Sequence, residues 1–370
     1  MEALHPLESA QVARLRKRLL SWYSTKKRDL PWRRRTDAYG IWLSEIMLQQ
    51  TRVATVIPYY QRFLQRFPDV FALAEAPLDD VLSAWSGLGY YRRARMLHAG
   101  AKHVAEQLGG TFPAEVPALL AIPGVGAYTS GAIASIAFGT PAPLVDGNVE
   151  RVLCRLVAQE DDPRKAAGKR ALWARADTLL DPAQPGDFNQ ALMELGATVC
   201  TAKTPACTEC PWRAECAALA GGDPTRYPRL AARTEARPHR LLYLVLQRPA
   251  GEVFLLKRPD SGRFAGLWEP PMAEAFGGAP AAVAARLARM LGAARPRHVG
   301  GFEHVLSHLR MDVSVYSATI ALGQEVPVPA PYVESRWAAM DDERGESRLA
   351  RRALELALGA CDLHRGEPGR

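Results

Sequence analysis

Four cysteines and two carboxylates are the residues here whose types and spacing could do chemistry. Cys200, Cys207, Cys210 and Cys216 stand in the pattern C-x6-C-x2-C-x5-C. Four thiolates this close can wrap one soft metal centre, either a zinc ion or an iron–sulfur cluster. Zinc ribbons favour two C-x2-C pairs, whereas this loop has one such pair with a single cysteine on each side. The irregular spacing suits a 4Fe-4S cubane better than a tetrahedral zinc knuckle. Such a centre clamps a loop too polar to pack a core, and the loop carries Lys203 and Arg213, which could reach phosphates.

The carboxylates lie upstream. Glu45 sits in Ile41-Trp42-Leu43-Ser44-Glu45-Ile46-Met47-Leu48, a helix apolar nearly all round, which predicts burial. A buried glutamate without a cationic partner has a raised pKa and can act as a general acid near neutrality. The competing reading puts Glu45 on a solvated stripe with Gln49, and the sequence weighs the two evenly. Asp146, in Leu144-Val145-Asp146-Gly147-Asn148-Val149, precedes a helix, and capping is the favoured reading of an isolated Asp there. A cap is also compatible with function, because the helix terminus favours the ionised form. Two carboxyls in opposed environments are the general pattern for separating acid from anion roles.

The turn Pro123-Gly124-Val125-Gly126 joins an apolar helix face (Leu119, Leu120, Ile122) to a helix opening at Tyr128. Its glycines, Gly124 and Gly126, let the backbone approach a ligand, and the free N–H groups beyond them suit a phosphate. A Pro-Gly turn alone is more often only a turn; its place upstream of Asp146 and the cysteine loop gives it weight.

The elements that must position these groups are helical over residues 1–220. Ser9 is expected to cap a first helix with apolar positions Val12, Leu15, Leu19 and Trp22. Further helices are expected at 39–50, 53–66, 78–83, 94–108, 128–138, 149–157, 169–180 and 187–199. Residues 221–238 carry Gly, Pro, Thr and scattered arginines without periodicity, which reads as a basic interdomain linker. Beyond it, 241–247 and 253–257 suggest a β-hairpin, 311–320 alternates as a half-buried strand does, and 281–291 and 346–358 look helical. Residues 239–370 therefore form a smaller α+β domain.

The 370 residues allow two cores. A formal charge of +8 is compatible with a polyanionic partner. Six cysteines in so long a chain do not make a disulfide scaffold. Cys154, among Val152, Leu153 and Leu156, reads as a small buried apolar residue, and Cys361 stands alone. Residues 1–20 have no apolar signal core, and no stretch is long enough to span a membrane, so a cytoplasmic, nucleoid-associated chain is expected.

In this order the motifs resemble the adenine DNA glycosylases of the MutY type, within the helix–hairpin–helix superfamily of endonuclease III. Arg28-Asp29-Leu30-Pro31-Trp32, Ser44-Glu45-Ile46-Met47-Leu48-Gln49-Gln50-Thr51, Gly87-Leu88-Gly89-Tyr90-Tyr91, Val145-Asp146-Gly147-Asn148-Val149 and the cysteine spacing each look like a family motif. The match runs from about Leu30 to Cys216 and more weakly to the C-terminus. It implies a mainly α helix–hairpin–helix glycosylase domain with an iron–sulfur loop, followed by an α+β Nudix-like domain.

The family resemblance also implies a substrate: adenine mispaired with 8-oxoguanine or guanine in double-stranded DNA, flipped out and cut from its sugar by a monomer. Glu45 is then the proton donor to adenine N7, and Asp146 stabilises the oxocarbenium-like sugar. Tyr128 and Asn148 orient that site, and Arg28, Leu30, Trp32 and Gln190 line the adenine pocket. Gln50 and Tyr90 fill or wedge the opened stack, although core packing is the commoner role for an isolated Trp32 or Tyr90. Gly124 and Gly126 lie on the DNA backbone. Lyase relatives place a lysine where this chain has Tyr128, so little strand cleavage is expected. Residues 266–291 lack the acidic Nudix cluster that would hold magnesium, which argues against pyrophosphohydrolase activity. The family reads 8-oxoguanine with Phe-Ser-His; this chain has Leu306-Ser307-His308.

Two competing readings are a bifunctional endonuclease III-type enzyme, opposed by Tyr128, Glu45 and Gln50, and a non-enzymatic DNA-binding module. A buried Glu45 facing Asp146 across a pocket distinguishes catalysis from the latter.

Overall fold

The structure is a computed structural model that describes residues 8–231, 235–249, 251–274, 277–306 and 309–359. Its contacts divide the chain into two units, Met1–Glu75 with Met96–Ala232 and Ala76–Arg95 with Arg233–Arg370. The short segment Ala76–Arg95 thus groups with the C-terminal part of the chain, which its sequence did not suggest.

The N-terminal half is helical throughout: Ser9–Lys26 (α1), Ala38–Leu48 (α2), Val53–Arg66 (α3), Val70–Glu75 (α4), Leu78–Ala84 (α5), Arg92–Gln107 (α6), Val116–Leu120 (α7), Ala127–Phe138 (α8), Gly147–Leu156 (α9), Ala166–Leu179 (α10), Pro185–Thr198 (α11) and Ala217–Ala220 (α12). Ser9 does not cap α1. It is the first helical residue, and Glu8 holds the cap position with no side-chain hydrogen bond. One core gathers Leu15 and Leu19 of α1, Val152, Leu153 and Cys154 of α9, and Phe188, Leu192 and Leu195 of α11. The Trp212 indole N–H donates to the Leu15 carbonyl at 2.9 Å, which ties the cysteine loop to α1.

The stretch after α12 is anchored at several points. Tyr227 is buried and its hydroxyl donates to Glu160 at 2.7 Å, while Arg229 pairs with Glu160 at 2.8 Å. Strand Arg237–Gln247 (β1) begins inside the range read as a linker. It is followed by Val253–Lys257 (β2), Trp268–Glu269 (β3), Met272–Glu274 (β4), Pro280–Met290 (α13), Arg297–Val305 (β5), Leu309–Thr319 (β6), Glu334–Ala338 (β7) and Arg348–Ala357 (α14). The sheet runs β3-β2-β1-β6-β5, with β4 paired to β1 and β7 to β2. The expected hairpin pairs Gln247 with Val253. The centre of the sheet is a parallel pair, β1 on β6, in register from Arg237↔Leu309 to Gln247↔Thr319. Leu241, Tyr243 and Val245 face a core shared with Leu349, Ala353 and Leu354 of α14. Leu242, Leu244 and Leu246 face Val283, Ala284 and Leu287 of α13. Burial on both faces explains why β1 reads as a continuous apolar run while β6 alternates.

Candidate active site

Asp37 starts α2: its Oδ1 accepts the Gly40 N–H at 2.7 Å. From Tyr39 to Met47 every residue of this helix is buried. A helix surrounded by protein has no solvated stripe, so Glu45 is carried inside and is 5% exposed. Tyr128, in the first turn of α8, meets it there; its hydroxyl donates to Glu45 Oε2 and lies 3.3 Å from Met193 Sδ. Burial pushes the Glu45 carboxyl up to about 7; the Tyr128 hydrogen bond and the Arg33 charge oppose this, and the Asp146 charge adds to it. That is the range of a working general acid.

The turn before α8 has the geometry its glycines suggested. Gly124 takes φ +81°, a left-handed conformation that favours glycine. Gly126 is different: its φ of −101° suits any residue, and no protein atom lies within 4 Å of where its Cβ would stand. The fold does not itself require glycine there.

Asp146 caps α9. Its Oδ1 accepts the backbone N–H groups of Asn148 at 2.9 Å and Val149 at 2.7 Å, and its Oδ2 accepts the Asn148 side-chain N–H at 3.1 Å. The capping and functional readings therefore fall on the same carboxyl. The expected downward pull of the helix terminus does not prevail. Burial pushes the Asp146 carboxyl up, and the hydrogen bonds from Val149 and Asn148 only moderate it. Arg151 braces this end of the site, donating to Asn148 Oδ1 at 2.9 Å and to the Cys200 carbonyl at 2.8 Å.

Glu45, Tyr128, Asp146, Asn148, Arg28, Leu30, Trp32, Gln190 and Gln50 all line one cavity of about 500 Å³. Trp32 is buried edge-on to Tyr60, with ring centroids 5.6 Å apart. Gln50 is exposed at the margin and takes φ +57°, a sparsely populated conformation for a non-glycine residue. Tyr90 does not line this cavity. It belongs to the unit containing Arg233–Arg370, is 53% exposed and takes φ +49°. Ser307 and His308 lie outside the described residues. Their neighbours Leu306 and Leu309 exchange backbone hydrogen bonds where β5 meets β6.

Sequence reasoning missed Glu194. Its side chain is fully buried, accepts both Arg28 Nε and Nη2 at 2.7 Å and takes a third bond from Arg33 at 2.8 Å. Burial alone would push Glu194 up; the two guanidinium groups overcome it and hold the carboxylate at about 2. This clamp fixes Arg28 in the cavity wall. The signal was available: Gln190, Met193, Glu194 and Ala197 recur at helical spacing along one face of α11, and all line the cavity.

The four cysteine side chains line a second cavity together with Arg155 and Arg213. None is in a disulfide. Arg155, 2% exposed, donates to Cys200 Sγ at 3.3 Å and to the Thr201 carbonyl at 2.7 Å. Among the described residues no three histidine, cysteine or acidic groups converge as one metal ion would require.

Comparison with known proteins places these features. A family model for HhH-GPD superfamily base excision DNA repair proteins matches residues 43–177, and one for NUDIX domains matches residues 242–352. The chain is 41% identical to the adenine DNA glycosylase of Homo sapiens over 90% of its own length and 71% of that protein. It is 40% identical to that of Rattus norvegicus, over 90% and 76%. Among solved structures, a thermostable thymine-DNA glycosylase aligns with TM-score 0.53 at 29% identity, over 58% of this chain and all of that one. A trapped endonuclease III–DNA covalent intermediate shares the fold at TM-score 0.50 and 20% identity, over 58% of this chain and 99% of that one.

Proposed function

This chain belongs to the adenine DNA glycosylases, base-excision repair enzymes that hydrolyse an N-glycosidic bond, and from that premise we propose that it acts on adenine opposite 8-oxoguanine or guanine in duplex DNA and stops at base release. The observation that carries this reading is a pair of sequestered carboxyls, Glu45 and Asp146, on the wall of one cavity of about 500 Å³, with Glu45 close to half-protonated at neutrality.

In the proposed reaction the adenine leaves the duplex stack and enters the cavity beside Leu30 and Trp32, with Arg28 and Gln190 as hydrogen-bonding groups. Glu45 gives its proton to N7. The C1′–N9 bond breaks, its electron pair goes to the base, and neutral adenine departs. The sugar becomes oxocarbenium-like, and Asp146, oriented by Asn148, supplies the opposing charge. Water then attacks C1′, and its proton returns to Glu45. Tyr128 offers a hydroxyl where a lyase would need an amine, so no Schiff base forms at the sugar. At the hairpin turn, the space beside Gly126 and the free N–H groups of α8 suit a DNA phosphate. Gln50 and Tyr90 fill or wedge the opened stack, both in conformations that non-glycine residues seldom hold.

Cys200, Cys207, Cys210 and Cys216 would hold a 4Fe-4S cluster. The donor set fits: four thiols outside any disulfide line one cavity, with a buried guanidinium on Cys200. Held there, a cluster would clamp the loop that exposes Lys203 and Arg213. The C-terminal domain reads the lesion through Ser307 and His308 and is not a pyrophosphohydrolase. Between residues 266 and 291 the acids are Glu269 and Glu274, and both pair with Arg258.

The decisive experiment measures free adenine released from duplexes with adenine opposite 8-oxoguanine, guanine or thymine, for wild type and Glu45→Gln. Release confined to the first two and abolished in the variant supports the reading. Equal release opposite thymine, or an unimpaired variant, rejects it.

A further inference from the structure

The segment Ala76–Arg95 groups with Arg233–Arg370, and the reason lies in a set of specific contacts. Leu82 of α5 is packed onto the backbone of Gly345 so closely that a Cβ there would stand 2.8 Å from the Leu82 Cβ. The buried Tyr91 hydroxyl donates to the Glu346 carbonyl and accepts the Gly87 N–H at 3.3 Å, so it closes the loop 87–91 on itself and pins it from below. The Ser86 hydroxyl reaches the same carbonyl at 3.4 Å. To either side, Lys257 pairs with Asp79 at 2.5 Å and Arg95 with Asp260 at 3.0 Å.

The support beneath is stiff. The Glu346 carboxylate is held by Arg344 at 2.9 Å and by Arg351 at 2.8 Å. Arg344 is 5% exposed and also donates to the Ala339 carbonyl at 2.6 Å. Within the loop, Arg93 stacks on the rings of Trp85 and Tyr90, 5.3 and 5.6 Å from their centroids, and donates to the Leu88 and Gly89 carbonyls at 3.2 and 3.1 Å. The tip itself is exposed: Tyr90 is 53% exposed in a left-handed conformation, φ +49°. A residue in that region persists when its surroundings over-determine it.

We propose that Glu346, seated by Gly345 and braced by Arg344 and Arg351, is a positioning residue for the loop that presents Tyr90, so that the C-terminal domain governs base opening through this loop. The proposal rests on the reading of Tyr90 as a wedge. It assigns the C-terminal domain a role in the opening step that does not depend on which base lies opposite the adenine.

The test uses the full-length protein and a duplex with 2-aminopurine in place of the target adenine, whose fluorescence rises when it leaves the stack. Tyr91→Phe removes the hydroxyl anchor but keeps the ring; Gly345→Ala pushes Leu82 away from the opposite side. Each is expected to slow the fluorescence rise about fivefold, the effect of one buried hydrogen bond. Adenine release should remain at the wild-type rate when the adenine faces an abasic site, where little stacking resists opening. Tyr90→Ala separates the two ideas. If it slows opening while Tyr91→Phe and Gly345→Ala do not, the wedge stands and the anchor is rejected. If Tyr90→Ala changes nothing, the wedge reading fails and the anchor with it. If Tyr91→Phe slows release equally on the paired and abasic-facing substrates, its effect is general and the positioning role is overturned.

Discussion

Glu45 and Glu194 line the same cavity and are both withdrawn from water, yet their carboxyls are shifted in opposite directions. Glu45 meets a tyrosine hydroxyl and a second carboxyl, and burial carries it to about 7. Glu194 is buried too, yet Arg28 and Arg33 hold it at about 2. Burial therefore does not decide the chemistry of a carboxyl; its partner does. One glutamate remains a proton reservoir, while the other becomes a fixed anion that holds the cavity wall in shape.

The contrast is broken most severely by removing the proton. Glu45→Gln should lower adenine release about a thousandfold in single-turnover assays, the scale of general acid catalysis, with duplex binding retained. Wild-type release should decline as pH rises through about 7, following loss of the protonated carboxyl. A flat profile across that range would deny Glu45 its role.

The opposite arm is tested by Arg28→Met, which leaves Glu194 with Arg33 as its charge partner. Losing the Arg28 hydrogen bonds to this carboxylate costs about 2 kcal/mol, which urea unfolding at pH 7 should detect. Because the folded value of Glu194 lies below its unfolded 4.5, the stability it contributes is present above pH 4.5 and lost as pH falls through about 2. The deficit of the variant should shrink over that interval, and a deficit independent of pH would contradict the clamp.

A third measurement compares the stabilities of Glu45→Gln and wild type. The folded value of Glu45 lies above its unfolded 4.5, so its proton stabilises the fold below pH 4.5 and that contribution is gone above about 7. The amide variant should therefore be the more stable protein at pH 8, by about 3 kcal/mol for a shift of this size. The difference should close by pH 4.5. The smallest effect is expected from Tyr128→Phe. Losing one hydrogen bond to the carboxylate moves the pH limb of release upward by about half a unit.

Much of this site was legible in the sequence, for local reasons. The apolar run around Glu45 pointed to a helix and left its burial evenly weighed against a solvated stripe, and the residues around Asp146 specified a cap before a helix. The α11 face that carries Glu194 was legible from its spacing, but the clamp was not, because it depends on α11 lying against the chain at Arg28 and Arg33. The direction of Asp146 was misjudged because hydrogen-bond donors can be read from a motif, whereas desolvation depends on everything packed around it. In the C-terminal half the continuous run of β1 announced a strand, but not its parallel partner β6, which lies on the far side of α13 and β5 in the chain. The short strands β3, β4 and β7 are defined by what they pair with rather than by periodicity.

Tyr91 and Glu346 are separated by 255 residues. A ribosome adding roughly 5 to 20 residues per second would emit the first about 10 to 50 s before the second. During synthesis, then, the loop proposed to enter DNA waits without its seat, and a transcript cut short ahead of codon 346 yields a polypeptide with both Glu45 and Asp146 but no anchor for that loop.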